Sequence, residues 1–245
     1  LLFYGIVTNT SIGDLFIAGI IPGLILVLLF CLIVFVWGKL YPSHIPDADG
    51  TERTGIREMF TSLGPIIVIG LVITVSIYAG IATPTEAAAV AALLTVILAF
   101  TIGGLDFTGF KAALMSTMRT MGYLGLLLSA GVLFGFVMTY YQVPQQFTEL
   151  FKTFQLSPYE VLAIVVIFYL VLGMFMEPVS MTFITLPTIF PLMYAAGWDM
   201  IWFGIIFIIT MEIAVLTPPV GLNLYVIQGI SRGSITISEV IYGSL

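Results

Sequence analysis

Residues 200–230 read MIWFGIIFIITMEIAVLTPPVGLNLYVIQGI, an apolar run of helical length with adjacent prolines at its centre. Neither Pro218 nor Pro219 has an amide hydrogen to donate, so the carbonyls of Ala214 and Val215 are expected to lose their helical partners. Gly221 allows a backbone conformation that other residues avoid. The stretch therefore predicts a broken helix: 200–216, a break over Thr217–Gly221, and a resumed half to Gly229. Around the break stand the carbonyl oxygens of Ala214 and Val215, the Thr217 hydroxyl and the Asn223 amide. Oxygens of that kind suit a hard cation, and a half-helix starting near Val220 would aim its amides at an anion. Discontinuous helices of this sort form transporter sites at the bilayer midplane. The plainer alternative is a proline kink that holds no ligand. Glu212, about one and a half turns earlier, supports the loop or bonds within the bundle.

Composition explains why such a run belongs in lipid. Of 245 residues 60% are hydrophobic and 8% charged, and the mean hydropathy is +1.17. A soluble domain carries about 25% charged residues because its surface meets water; most of this chain's surface must face lipid instead. The net charge of −6 offers no basic patch for a nucleic acid. The lone Cys31 lies in an apolar run and cannot form an internal disulfide. No nucleophile elbow, phosphate-binding loop or Cys/His cluster is present, so enzyme chemistry is not indicated.

A membrane-spanning helix needs about 20 apolar residues. The first candidate opens at Ser11-Ile-Gly-Asp14, which has capping-box spacing, and runs to about Trp37, with Trp37 and Tyr41 at an interfacial position. The polar segment 41–57 carries Asp47, Asp49, Glu52, Arg53 and Arg57 with the only histidine, His44. A solvated loop accounts for it better than a metal site of His44, Asp47 and Asp49. Lys39, Arg53 and Arg57 point to a cytoplasmic loop, against the acids beside them. Two spans fit between Met59 and Ile102, divided at 82–86. Phe107–Thr120 is expected as a short amphipathic stretch in the interface, followed by a separate span over 121–140. Residues 145–155 are polar enough to lie outside the lipid. Ser157-Pro-Tyr-Glu160 opens a helix to about Phe175, a further arm covers 179–196, and Asp199 caps the helix from 200. Thr236-Ile-Ser-Glu239 opens the last helix.

Ionisable groups inside apolar segments are costly and so are functional candidates by default. Glu86 has a structural account: Thr83-Pro-Thr-Glu86 is a complete capping box with proline at the first helical position. Glu86-Ala-Ala88 begins like the coupling loop of ABC-type permeases, but the apolar continuation rules that out. Glu177 sits in Gly173-Met-Phe-Met-Glu-Pro-Val-Ser-Met-Thr182. Its two arms are either tilted spans joined by a surface turn, or a re-entrant hairpin over 173–196 whose polar tip lies within the membrane. Non-helical backbone at depth is tolerated only where protein or a cavity surrounds it. Tyr4-Gly-Ile6 before one box and Tyr225-Val-Ile227 before another form a faint internal repeat. By that pattern, and with no signal peptide before Leu1, the chain reads as the C-terminal part of a longer polypeptide.

Four stretches carry a resemblance that covers nearly the whole chain. They are Ser11-Ile-Gly-Asp-Leu-Phe-Ile-Ala-Gly-Ile-Ile-Pro-Gly23, Gly80-Ile-Ala-Thr-Pro-Thr-Glu-Ala-Ala-Ala89, Gly173-Met-Phe-Met-Glu-Pro-Val-Ser180 with Pro187 and Pro191, and Leu216-Thr-Pro-Pro-Val-Gly-Leu-Asn223. The chain resembles the second half of the large membrane subunit of TRAP (tripartite ATP-independent periplasmic) transporters; Glu177 stands where many relatives carry Asp.

That resemblance implies an all-α, polytopic bundle with a re-entrant hairpin and a broken helix, one half of an inverted-repeat transporter with an elevator-like moving domain. It implies a secondary active transporter in a bacterial or archaeal inner membrane, taking up an organic acid (dicarboxylate or sugar acid) with sodium as coupling ion and no other cofactor. A small membrane subunit and an extracytoplasmic substrate-binding protein are the implied partners. The expected ion- and substrate-binding residues are Gly173, Glu177, Ser180, Thr182, Ala214, Val215, Thr217, Pro218, Gly221 and Asn223. Among them Ala214, Val215 and Thr217 are the sodium candidates. The rivals are a channel, a carrier that needs no binding protein, and a structural membrane subunit of an enzyme complex. Finding a binding-protein sequence encoded beside this one would separate the first reading from a channel or a carrier that needs no binding protein.

Overall fold

A computed structural model of the chain describes residues 1–41, 56–218, 221–231 and 235–244. Among these residues there are eleven α-helices and no strands. They are α1 (Leu2–Thr8), α2 (Ile12–Leu40), α3 (Ile56–Tyr78), α4 (Pro84–Thr101), α5 (Phe107–Tyr140) and α6 (Val143–Thr153). Then follow α7 (Pro158–Gly173), α8 (Pro178–Ala195), α9 (Met200–Leu216), α10 (Leu222–Ile230) and α11 (Ile237–Ser244). Helices α2, α4, α5 and α8 are long and apolar enough to cross a membrane. The protein is a multi-pass helical membrane protein. His44, Asp47, Asp49 and most of the 41–57 loop lie outside the described residues.

Two compact units divide the chain: 1–15 with 119–245, and 16–118. In the second unit, α3 and α4 pack together across a turn at 79–83. The turn is closed by amides of Ile81 and Ala82 on the Ser76 carbonyl. The Thr83–Glu86 box is complete: Glu86 Oε2 accepts from the Thr83 amide and hydroxyl, each at 2.8 Å, and the Glu86 amide donates to Thr83 Oγ1. Tyr78 reaches from α3 to donate to the Phe16 carbonyl at 3.0 Å.

Residues 107–120 are not separate from the span at 121–140, contrary to what the fall in hydropathy suggests. They are the opening turns of α5, capped by Asp106 Oδ1 on the Gly109 amide at 2.8 Å. Hydropathy falls along this half, but no proline interrupts the backbone, so the helix continues. Its 34 residues extend about 51 Å, more than a hydrocarbon core of about 30 Å.

The first unit holds the largest core. Helices α7 and α8 form a hairpin whose arms contact α9, α1 and α6. Buried Tyr4, Tyr169, Phe203 and Phe207 make an aromatic cluster at its centre, with Tyr169 edge-on to Phe207 at 4.9 Å. Such pairs contribute about 0.5–1.5 kcal/mol each beyond burial. In lipid this contact energy matters more than water exclusion, because acyl chains are as apolar as the core. Small residues let backbones approach: a Cβ on Gly131 would stand 2.8 Å from the Phe183 Cβ, and one on Gly135 2.9 Å from the Pro187 Cβ. The four-residue spacing presents both glycines of α5 to α8. The open end of the hairpin is fastened by Trp198, whose indole donates to the Pro158 carbonyl at 3.2 Å and stacks on Trp202 at 4.7 Å.

The remaining helix starts follow the local chemistry expected of them. The Ser157–Glu160 and Thr236–Glu239 boxes are complete, and Asp199 Oδ1 accepts from the Trp202 amide. The two Thr236 bonds hold the Glu239 carboxyl below its ordinary range. At Ser11 the described bond is the amide half, from Asp14 at 3.3 Å. Residues 145–155, expected to be polar, fall mostly in α6, whose Phe147 and Phe151 face the hairpin side. The faint repeat does not extend to burial: Tyr4 is enclosed and donates to the Met200 carbonyl at 2.7 Å, whereas Tyr225 is exposed.

Candidate functional site

The hairpin tip and the helix break meet. Helix α7 ends at Gly173, and a Cβ built there would overlap the Cβ of Ala214 and lie 3.2 Å from Met181 Cε. Glycine is thus required at the tip by close approach, and the last turn of α9 sits directly against it. Ala214 and Val215 are both buried at this junction.

The break itself is tighter than sequence reasoning expects. Pro218 cannot donate to the Ala214 carbonyl, but the Thr217 amide reaches that oxygen at 3.1 Å. A three-residue turn has replaced the lost four-residue bond. The Ala214 carbonyl is therefore not stripped of its partner, although a carbonyl oxygen keeps a second lone pair. The Thr217 hydroxyl donates back to the Ile213 carbonyl at 2.7 Å, which leaves its oxygen free to accept. Pro218 lies in the turn, half-buried. Gly221 has φ +53, the left-handed region, and a side chain there would strike Leu224. Helix α10 then starts at Leu222, and Pro219 and Val220 lie outside the described residues. Asn223 is exposed on its first turn, and Glu212 is exposed on α9.

Between the hairpin arms the backbone is non-helical over 174–177. Glu177 takes the N-cap position of α8 with extended backbone, yet its side chain caps no amide. Its Oε1 instead accepts from Ser180 Oγ at 2.9 Å and from Tyr123 Oη at 2.6 Å. Thr182 is buried and donates to the Pro178 carbonyl at 2.7 Å. Deeper in the hairpin the Thr185 and Tyr169 hydroxyls lie 2.9 Å apart, and Thr185 Oγ1 is 2.8 Å from the Met181 carbonyl.

The structure thus joins Gly173 to Ala214 and Glu177 to Ser180. Among the described residues no hydrogen bond joins Glu177 to Thr217 or Asn223. Tyr123 was missed in the sequence, where it reads as one aromatic among many in an apolar run. The available signal was its hydroxyl, since a tyrosine within such a run needs a polar partner. Nearby, an apolar cavity of about 340 Å³ lies between α5, α6, α7 and α8, and the Thr188 hydroxyl is buried beside it without a partner.

A polytopic helical chain in which a hairpin tip abuts a helix break has the construction of a secondary transporter. The chain belongs to the family described as tripartite ATP-independent periplasmic transporter, DctM component, whose model matches residues 1–245. It is 35% identical over 232 residues to the sialic acid TRAP transporter large permease protein of Vibrio cholerae, covering 93% of this chain and 53% of the relative. It is 34% identical to the C4-dicarboxylate TRAP transporter large permease protein of Pseudomonas aeruginosa, with the same coverage. The ectoine TRAP transporter large permease protein of Halomonas elongata is 31% identical, covering 92% of this chain and 52% of the relative. The chain spans about half the length of these relatives. Its family is one of transporters, not enzymes.

Proposed function

We propose that this chain is part of the large permease of a sodium-coupled importer of organic acids in a bacterial inner membrane. It works with a small membrane subunit and receives substrate from an extracytoplasmic binding protein. The observation that carries this reading is the Gly173–Ala214 junction, where the helix break and the hairpin tip share one buried contact. Non-helical backbone is tolerated within a bilayer only when protein encloses it or it lines a cavity, and the packing of α9 on the hairpin with Ala214 against Gly173 supports such a setting. Carbonyls of Ala214 and Val215 with the Thr217 oxygen form a donor set of the hard type that sodium prefers. Relatives named for sialic acid and C4-dicarboxylates support an acidic substrate, and the family description as tripartite supports two partners. The hairpin is then re-entrant, and this chain supplies one of two inverted repeats that move together as an elevator.

The test is uptake of labelled organic acids into proteoliposomes holding the natural polypeptide with both partners. Uptake should require the binding protein and a sodium gradient, and should proceed against a substrate gradient. Each net positive charge that enters gains about 2.3 kcal/mol per 100 mV of inside-negative potential. Downhill, sodium-independent flux without the binding protein would instead establish a channel.

A further inference from the structure

Six helix starts among the described residues share one habit: Ser11, Thr83, Asp106, Ser157, Asp199 and Thr236 each accept a backbone amide of the first turn on a side-chain oxygen. Glu177 stands at the same position of α8 and does not. Its carboxylate is released from local duty and is held instead by two hydroxyls on one oxygen. Ser180 donates to Oε1 from the first turn of α8, and Tyr123 donates to the same atom from α5. The two hydroxyls are 3.4 Å apart, closing a three-membered cluster at the hairpin tip. Of the two, Tyr123 comes from outside the hairpin, so among the described residues it alone ties the carboxylate to a second element.

We propose that Tyr123 is the positioning residue of this site: its phenol holds Glu177 Oε1 so that the carboxylate presents Oε2 to the coupling cation. The role rests on the sodium-coupled reading above. It assigns Glu177 to the cation rather than to the substrate, because a carboxylate attracts the one and repels an organic acid. Tyr123 acts through Glu177 and is not itself a ligand. A freely rotating glutamate must be ordered when the cation arrives, whereas a held one has already lost that freedom on folding.

The experiment titrates sodium against uptake at fixed potential for the natural polypeptide with both partners. Tyr123→Phe should raise the half-saturating sodium concentration by about three- to tenfold, the worth of one net hydrogen bond, with maximal rate changed less than about twofold. Combined with Glu177→Gln it should add nothing further. Sodium-dependent stabilisation of the purified subunit against heat gives the same comparison where a variant no longer transports. If Tyr123→Phe does not accumulate, Ser180→Ala removes the other donor to the same oxygen and carries the same expectation. Unchanged sodium dependence in both variants, or an equal effect of Tyr123→Phe with and without Glu177, overturns the role given to Tyr123 and leaves sodium coupling standing. Wild-type uptake that ignores sodium discards the coupling and this proposal together.

Discussion

Gly173 and Ala214 stand so close that a methyl on the glycine would overlap the alanine Cβ, and this contact seats the hairpin tip against the end of α9. Neither partner is the flexible end of a long side chain, so the backbones themselves would have to part. Gly173→Ala should therefore destabilise the purified subunit by about 1–3 kcal/mol, the usual cost of overpacking. Thermal unfolding in detergent measures it. Gly23→Ala, where nothing lies within 4 Å of the added carbon, should leave the transition in place, and Gly173→Ala with Ala214→Gly should restore it. A Gly173→Ala subunit as stable as wild type would show that the junction is looser than described.

Glu86 serves α4 through Oε2, which accepts from both the Thr83 amide and hydroxyl. A glutamine carbonyl accepts the same bonds, so Glu86→Gln should keep most of the uptake rate. Glu86→Ala should cost stability on the order of 1 kcal/mol, as loss of a cap does. Uptake rate and unfolding temperature, measured on both variants, separate this from an ionic role. Abolished transport by a stable Glu86→Gln subunit would reassign the residue to the ion path.

Thr217 uses its proton on the Ile213 carbonyl and keeps its oxygen for another partner. Thr217→Val preserves the shape and removes that oxygen, so half-maximal uptake should need more sodium, roughly five- to tenfold, as for one lost bond. A sodium titration of reconstituted uptake decides the matter, and an unchanged curve removes the Thr217 side chain from the site.

Tyr169 and Thr185 form a hydroxyl pair with unequal fallbacks. Thr185 also meets the Met181 carbonyl, while the Tyr169 hydroxyl is fully buried with Thr185 as its partner. Tyr169→Phe should therefore cost about 0.5–1.5 kcal/mol, and Thr185→Val about 1–3 kcal/mol, because only the latter strands a buried hydroxyl. Denaturation of the two variants side by side gives the order, and the reverse order would refute the pairing.

The helix starts show best how far a linear reading reaches. At Thr83–Glu86, Ser157–Glu160 and Thr236–Glu239 donor and acceptor lie three residues apart, so residue type and spacing decide the bond before any tertiary contact forms. The break after Leu216 was legible for the same reason, because a proline lacks its amide hydrogen in every fold. Its detail was not: the Thr217 amide rescues the Ala214 carbonyl through a local turn that proline chemistry permits but does not dictate. The continuity of α5 escaped a reading of hydropathy because polarity reports the surroundings of a helix, whereas only a backbone interruption ends it. The contacts that make a site, Gly173 on Ala214 and Tyr123 on Glu177, join residues far apart in the chain. Which glycine meets which alanine, and which of eleven tyrosines meets the acid, depends on how α5, the hairpin and α9 pack. That packing is set by shape among many apolar side chains of similar kind, which no single stretch of sequence specifies.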